Sequence, residues 1–435
     1  MFFPTPRKVN LQKYKEGLNN PGIFYGLNSK IEFCKLCTNS NQKPNSEREY
    51  KHVKQTNKPT IKVEKGICNA CKVNDYKKEN IDWEKREKQL KKLCDKFRKN
   101  NGDYDCLIPG SGGKDSFYVS HVLKHKYGMN PLTLTFSPHL YTDWGFKNFK
   151  SWIQTGFDNY LFTPNPKIHR LLTRISLENL FHPFQPFIFG QNFLAPKLAA
   201  KQFNIKLVFM AESPLEYGND DDINDPKKDP KYFCIDNPNN TAIGGIPVKE
   251  LIKNFNINAN DLVSYLPIST KEFAKSGTEV HYLGFYLPWH PQEIFYYAME
   301  NGNFSPSPER TPGTYSKYSS IDDKMDDLHY FTTFIKFGIG RATHDSSHEV
   351  RNGEISREEA VNLVKKFDGE YSNRFEKEIF EYLSINEHEF KFASKNFQHP
   401  TMDKKYFDLL TDNFRSPHIW KFKDNKWELR SKVWK

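Results

Sequence analysis

No stretch of the 435-residue chain approaches the 18 or more apolar residues that a membrane-spanning helix requires. The opening residues MFFPTPRKVN lack the apolar run and small-residue cleavage site of a secretory signal, so the expected compartment is cytoplasmic, with no membrane partner. Cysteine is scarce: seven residues without a regular framework argue against a secreted disulfide scaffold and for reduced thiols. No internal repeat of constant period is present, which sets aside a repeat architecture.

What the chain does have is length and charge. A single core stops growing near roughly 250 residues, so 435 residues predict two or three domains. Lys and Arg number 64 against 53 Asp and Glu, a formal charge of +11, which fits a nucleic-acid partner or an anionic small substrate. Runs such as Lys85 to Lys99 mix bases with acids in a helical pattern and read as a solvated face, so a nucleic-acid partner is not expected.

Three regions differ in texture. Residues 1–80 are polar, with little apolar periodicity and two short cysteine pairs, a segment that needs a staple to fold. Asp82 can then cap a helix whose Leu90, Leu93, Cys94 and Phe97 form one apolar stripe. Within 81–280, the runs YDCLIP, PLTLTF, NYLFT and KLVFMAE alternate with helical stretches, among them one from about Lys114 to Lys126. This pattern predicts an α/β domain with a Rossmann-like parallel sheet. The Asp-, Asn- and Pro-rich stretch 219–258 reads as an insertion or lid, with a sharp turn or hinge at Gly244 and Gly245. Residues 281–435 are aromatic and mainly helical, with a capping-box spacing at Ser356 and Glu359.

The segment YDCLIPGSGGKDS places Gly110, Ser111, Gly112, Gly113, Lys114, Asp115 and Ser116 after a buried strand and at a helix start. Such a junction suits phosphate: glycines allow close backbone approach, free N–H groups point outward and the helix dipole adds partial positive charge. Ser111 and Ser116 offer hydroxyls, Lys114 a full charge, and Asp115 a ligand for magnesium. The order differs from G-x-x-x-x-G-K-[ST], which argues against cleavage of the terminal phosphate.

Cys34 and Cys37, with Cys68 and Cys71, form two C-x-x-C knuckles separated by 30 residues, a spacing that suits a four-thiolate zinc ribbon. An iron–sulfur cluster is the alternative. Four thiolates leave no open position, so the metal is expected to be structural. Cys94, Cys106 and Cys234 stand alone and read as packing residues.

SGGKDS resembles the PP-loop of the N-type ATP pyrophosphatases, which split ATP to AMP and pyrophosphate. More of the chain resembles one family, the N-acetyl sugar amidotransferases that make acetamidino groups on bacterial surface sugars. The resemblance rests on both knuckles, IDWEKREKQL, the PP-loop, AESPLEYG, LGFYLPWHPQE and above all the ungapped block from Gly313 to Glu370. It implies a cytoplasmic enzyme of surface polysaccharide or flagellar glycan biosynthesis. Such an enzyme adenylates an N-acetyl amide oxygen with ATP and Mg2+ and displaces it with ammonia. A separate glutaminase, similar to that of imidazole-glycerol-phosphate synthase and accompanied by its cyclase-like companion, is the implied ammonia source, since no amidotransferase nucleophile stands at the chain start.

Within that reading Lys114, Asp115, Glu212, Lys336 and Arg341 are the candidate catalytic residues. Glu212 and Glu216 follow a strand end, where such sheets bind ligands. Lys336 and Arg341 are candidates to neutralise a sugar carboxylate or phosphate, or else ordinary solvated charges. His344, Asp345 and His348 are candidates for acid–base work or simple polar caps. The aromatic residues from Tyr282 to Tyr297 read as core, with sugar stacking as the alternative. A tRNA thiolase, with Cys234 as sulfur carrier, and a non-catalytic ATP-binding scaffold for a glutaminase are the other readings.

Overall fold

The computed structural model describes residues 3, 5–15, 28, 30–44 and 60–434. The remaining parts of the expected 1–80 module, and Met1, Phe2 and Pro4 of the opening segment, lie outside the described residues.

Five strands form the central sheet: β1 (Cys106–Pro109), β2 (Pro131–Phe136), β3 (Asp158–Phe162), β4 (Leu207–Met210) and β5 (Glu279–Tyr282). Their order is β3-β2-β1-β4-β5 and every pairing is parallel, with Cys106 opposite Pro131, Leu107 opposite Val208 and Leu207 opposite Glu279. The central strands β1, β2 and β4 are short apolar runs rather than alternating ones, as expected of a sheet covered on both faces. The period of two sends neighbouring residues to opposite cores. Leu107 and Val208 join the larger core, whereas Cys106, Ile108, Leu207 and Phe209 join the smaller one.

The helices are α1 (Asn69–Asn80), α2 (Trp83–Phe97), α3 (Lys114–His121), α4 (Asp143–Gln154), α5 (Pro166–Leu180), α6 (Gln185–Lys201), α7 (Val248–Phe255), α8 (Pro291–Gly302), α9 (Asp326–Phe337), α10 (Arg341–Asn352), α11 (Arg357–Phe367), α12 (Glu376–Leu383) and α13 (Lys404–Phe414), with a few shorter helical turns between them. Asp82 caps α2 by accepting from the Lys85 N–H at 2.9 Å, and Leu90 and Cys94 then bury against the sheet. The helix expected from Lys114 to Lys126 is α3 followed by a single π turn, Val122–Lys126. Leu90 and Cys94 of α2 and Val119 of α3 cover one face of the sheet; Leu171 and Leu172 of α5 and Phe193 and Ala195 of α6 cover the other.

The larger core does not stop at the sheet. Met325 and Leu328 at α9, Leu383 of α12 and Phe407 of α13 pack in the same cluster as Leu134 and Phe193. Ser356 and Glu359 form the expected capping box at the start of α11. The stretch 219–258 departs from the lid reading: Phe233, Cys234, Ile243, Ile246, Leu251 and Phe255 are buried in that core. Its polar residues hide an apolar minority that is spaced to face inward, and the α7 stripe of Val248, Leu251 and Phe255 is the clearest case. Gly244 and Gly245 make the sharp turn, with φ of 58° and 72°. At the other end of the chain, Tyr14 Oη donates to the Arg415 carbonyl at 3.0 Å and the Tyr14 carbonyl accepts from Arg430 at 2.9 Å.

Among the described residues no helix is long and apolar enough to cross a membrane. Leu90 is fully buried where α2 meets the sheet, so Leu90→Ala should lower the unfolding free energy by about 2–5 kcal/mol in urea titrations, while a change under about 1 kcal/mol would mean α2 is not part of the core.

Candidate active site

The strand order reverses between β1 and β4: the chain moves outward through β2 and β3 on one side, then returns to build β4 and β5 on the other. At such a reversal the loops leaving the two central strands diverge and open a crevice at the carboxyl edge of the sheet. The turn Gly110–Gly113 leaves β1 into this crevice, and Ala211–Ser213 leaves β4 beside it.

The turn is shaped by close contacts. Gly112 has φ of 89°, and a Cβ there would lie 2.5 Å from the Phe149 backbone, so α4 leaves room only for glycine. The Gly112 N–H donates to Ser116 Oγ (3.3 Å), which donates to the Gly113 carbonyl (3.0 Å). Gly113 caps α3 without a side chain, so the first N–H groups of the helix are left for an acceptor in the crevice. Lys114 is nearly buried; its Nζ lies 2.7 Å from both Asp115 oxygens and 5.9 Å from the centre of the Tyr318 ring.

These groups line a cavity of about 410 Å³, within the range of small-molecule sites. Ser111, Gly112, Gly113, Lys114, Asp115 and Glu212 form its floor; Trp289, His290 and Gln292 stand on one side; residues 316–322 and the faces of α9 and α10 complete it. Asp323 ties that last segment down: its carboxylate accepts from the N–H groups of His139 (2.8 Å) and Leu140 (3.2 Å) after β2. Burial raises the Glu212 carboxyl above its ordinary range, helped by the Asp115 charge, and burial likewise raises Asp322 and Asp326. Ser111 hydrogen-bonds Asp322. The cavity thus joins an anion-seeking helix start to several carboxyl groups, an arrangement that suits a phosphate chain carrying a divalent cation.

The structure gathers most of the residues expected from sequence; Gly110, Ser116, Lys336 and Glu216 are not among the residues that line the cavity. Arg341 lines the cavity with its Nε 2.7 Å from Asp345 and NH1 2.5 Å from Tyr330 Oη. His344, Asp345 and His348 line it too, from successive turns of α10. Lys336 is not among the lining residues, a correction to its expected role: its ammonium lies 5.0 Å from the Phe337 ring centre. Glu216 is also outside; it pairs with Lys77, while Tyr217 beside it turns inward and hydrogen-bonds Glu212. In the aromatic stretch Tyr286, Leu287 and Trp289 pack in the smaller core, and Trp289 also lines the cavity. Asp322, Asp326, Tyr318 and Glu349 had not been singled out. The acid doublets of IDDKMDD were the available signal: Asp322 lies in the segment before α9 and Asp326 opens that helix.

The four knuckle cysteines come together as expected. Cys34, Cys37, Cys68 and Cys71 are buried with all four Sγ atoms within 4.8 Å of one another. Cys34 to Cys71 is 3.8 Å and Cys37 to Cys68 is 3.6 Å. A tetrahedron with metal–sulfur bonds of about 2.3 Å has edges of about 3.8 Å, so the residues fit one ion at their centre and are compatible with zinc. Backbone N–H groups of Asn39 and Cys68 donate to Cys37 and Cys34 Sγ at 3.4 and 3.3 Å, the outer contacts that orient thiolates. Thr38 donates to the Thr343 carbonyl (3.2 Å) and Arg357 to the Cys34 carbonyl (3.1 Å), which fastens the module to α10 and α11. Cys94 and Cys234 are buried elsewhere, and burial pushes both thiols up to about 12.

Comparison with known proteins bears on one wall of this cavity. Residues 312–433 match the family model of the LPS biosynthesis protein WbpG-like, C-terminal domain. The matched segment supplies Tyr318, Asp322, Asp326, Arg341, His344 and His348. An uncharacterized protein of Methanocaldococcus jannaschii is 33% identical over 81 residues, which are 19% of this chain and 28% of that protein. The chain therefore matches less than a third of that relative's length. The structure of NMN synthetase from Francisella tularensis is similar over 66% of this chain and 97% of that one, at 11% identity and a TM-score of 0.28, too low a score to carry an argument.

Metal analysis of the purified protein should find one tetrathiolate-bound ion per chain, and Cys68→Ser should release it and lower the melting temperature; a metal-free wild type of equal stability would contradict the assignment. Burial also pushes the Glu349 carboxyl up to about 7 from 4.5. A raised folded-state value means the stabilising contribution is full below pH 4.5 and is lost as pH rises through 7. Glu349→Gln should therefore gain stability on the wild type across that window in urea titrations; parallel profiles would place the carboxyl in water.

Proposed function

We propose that the chain is an ATP-dependent amidotransferase of surface-sugar biosynthesis, which converts an N-acetyl group into an acetamidino group and releases AMP and pyrophosphate. The observation that carries the reading is the uncapped start of α3 with Lys114, opening into a cavity one wall of which matches the WbpG-like LPS biosynthesis domain. The resemblance of the PP-loop and of the Gly313–Glu370 block to the N-acetyl sugar amidotransferases supports the same conclusion.

In this reading the N–H groups and hydroxyls of Gly110 to Ser116, with Lys114, hold the β- and γ-phosphates. Asp115 and Glu212 would hold magnesium, which supplies charge neutralisation on the phosphate oxygens when bound. An amide oxygen is a poor leaving group. Attack of that oxygen on the α-phosphorus breaks the bond to the bridging oxygen, pyrophosphate departs into the turn, and an adenylated imidate remains. Ammonia adds to the imidate carbon, AMP leaves with the original amide oxygen, and loss of a proton gives the amidine. The protein's contribution is placement and stabilisation of the departing charge. Ammonia would come from a glutaminase partner resembling that of imidazole-glycerol-phosphate synthase. Zinc at the four cysteines would be structural, since no ligand position remains open.

The thiolase reading needs a cysteine that can carry sulfur beside the nucleotide. Cys234 is buried in the larger core with its thiol pushed up to about 12, and it does not line the cavity, so nothing favours that role.

Incubation with ATP, magnesium, ammonium salt and a panel of N-acetyl sugars should yield AMP, pyrophosphate and a product in which NH replaces oxygen, read by mass spectrometry. Lys114→Ala should lower the rate by roughly 10²–10³. Formation of ADP and orthophosphate, or AMP release that no acetamido compound stimulates, would refute the assignment.

A further inference from the structure

One wall of the cavity, and the layer behind it, holds polar nitrogens that the turn before α3 does not account for. Around the Tyr217 ring stand four side chains, each with a buried nitrogen that has no hydrogen-bond partner among the described residues: Lys43 Nζ, His344 Nδ1, His348 Nε2 and Arg351 NH1. His344, His348 and Arg351 are spaced at i, i+4 and i+7 along α10 and so share one face. The imidazoles stack on each other with centres 5.5 Å apart and lie 5.0 and 5.2 Å from the Tyr217 ring. The fourth member comes from the four-cysteine module: Lys43 extends from the segment between the knuckles and brings its ammonium 5.4 Å from the centre of the same ring.

The neighbouring acids are already engaged. Glu216 pairs with Lys77, Glu212 accepts from Tyr217, Asp345 is held by Arg341 and Thr314, and Glu349 accepts from Tyr315 at 2.6 Å. Arg351 spends NH2 on the Glu216 carbonyl (3.0 Å) and leaves NH1 free. Burial, with Arg351 nearby, pushes the Lys43 ammonium down to about 8, and burial among these cations holds both histidines well below their ordinary range. Buried donors clustered without acceptors are unfavourable unless something brings acceptors and negative charge to them.

We infer that His344 and His348, beside the Tyr217 ring, form a second anion subsite of the cavity, with Lys43 and Arg351 supplying charge from behind, and that it receives a carboxylate or phosphate carried by the acceptor. The subsite follows from the geometry alone; assigning its occupant to the acceptor rests on the function proposed above. Lys114 is near enough for its charge to be felt at His348, so the bound anion and the nucleotide phosphates would be neighbours. The four-cysteine module is then more than a staple, because it delivers one of the charges that hold the acceptor.

The test is calorimetric titration of inorganic phosphate and of acetate into the metal-loaded full chain, already saturated with magnesium and a non-hydrolysable ATP analogue so that the turn before α3 is filled. Binding should persist in the wild type, weaken by roughly tenfold or more in Lys43→Met and in Arg351→Met, and survive in Lys43→Arg and in the remote Lys405→Met. Tighter phosphate or tighter acetate would each support the subsite and tell which anion it favours. Absence of binding to the analogue-saturated wild type would overturn the subsite even if no variant folds. Lys43→Met that loses its metal yet binds anions normally would also overturn it, since the cluster would then serve only the thiolates. Turnover is not measured, so failure here leaves the amidotransferase reading to its own assay.

Discussion

A helix that begins without a cap must find acceptors for its first N–H groups. α3 begins this way at Gly113, and the backbone of α4 presses so closely on Gly112 that no larger residue fits there. The other features of the site follow from this contact. It keeps the turn tight, aims the free N–H groups into the crevice where the strand order reverses, and places Lys114 and Asp115 against the cavity. A looser turn would let its own side chains cap the helix, and the crevice would lose its free N–H donors.

The remaining walls are recruited from distant parts of the chain. Asp323 fastens the segment before α9 to the loop after β2, and the ion pair of Arg341 with Asp345 stiffens α10 where it faces the cavity. The four-cysteine module holds α10 from outside through Thr38 and holds α11 through Arg357. The four-cysteine module thus braces the helix that carries His344 and His348, which links its integrity to the shape of the site.

Features set by local chemistry could be read from the residues themselves. The turn from Gly110 to Ser116 announces itself because glycine, hydroxyl and charge coincide at one strand–helix junction, and the knuckles because thiolate ligands must be closely spaced. Asp82 and Ser356 were legible as caps for the same reason. Features set by position along an element were harder. On α9 the cavity residues Asp326, His329 and Tyr330 lie in the first turns and Lys336 lies two turns beyond His329, while Arg341 opens the next helix and lines the cavity. Glu216 and Tyr217 are adjacent, yet the 3-10 turn Pro214–Tyr217 sends one outward and the other inward. Asp322 and Asp326 acquire meaning only once long-range packing sets them opposite the phosphate turn. The stretch 219–258 misled because its polar majority concealed apolar residues spaced to reach the core.

The tie of Tyr14 to the Arg415 carbonyl and the Arg430 guanidinium joins positions some four hundred residues apart. During synthesis the sheet and the phosphate turn would emerge from the ribosome long before the segments that seal them. The nascent protein must then carry an open crevice and an unclosed core until translation has passed residue 430, an interval in which chaperone protection or a slow, late folding step is the physical expectation.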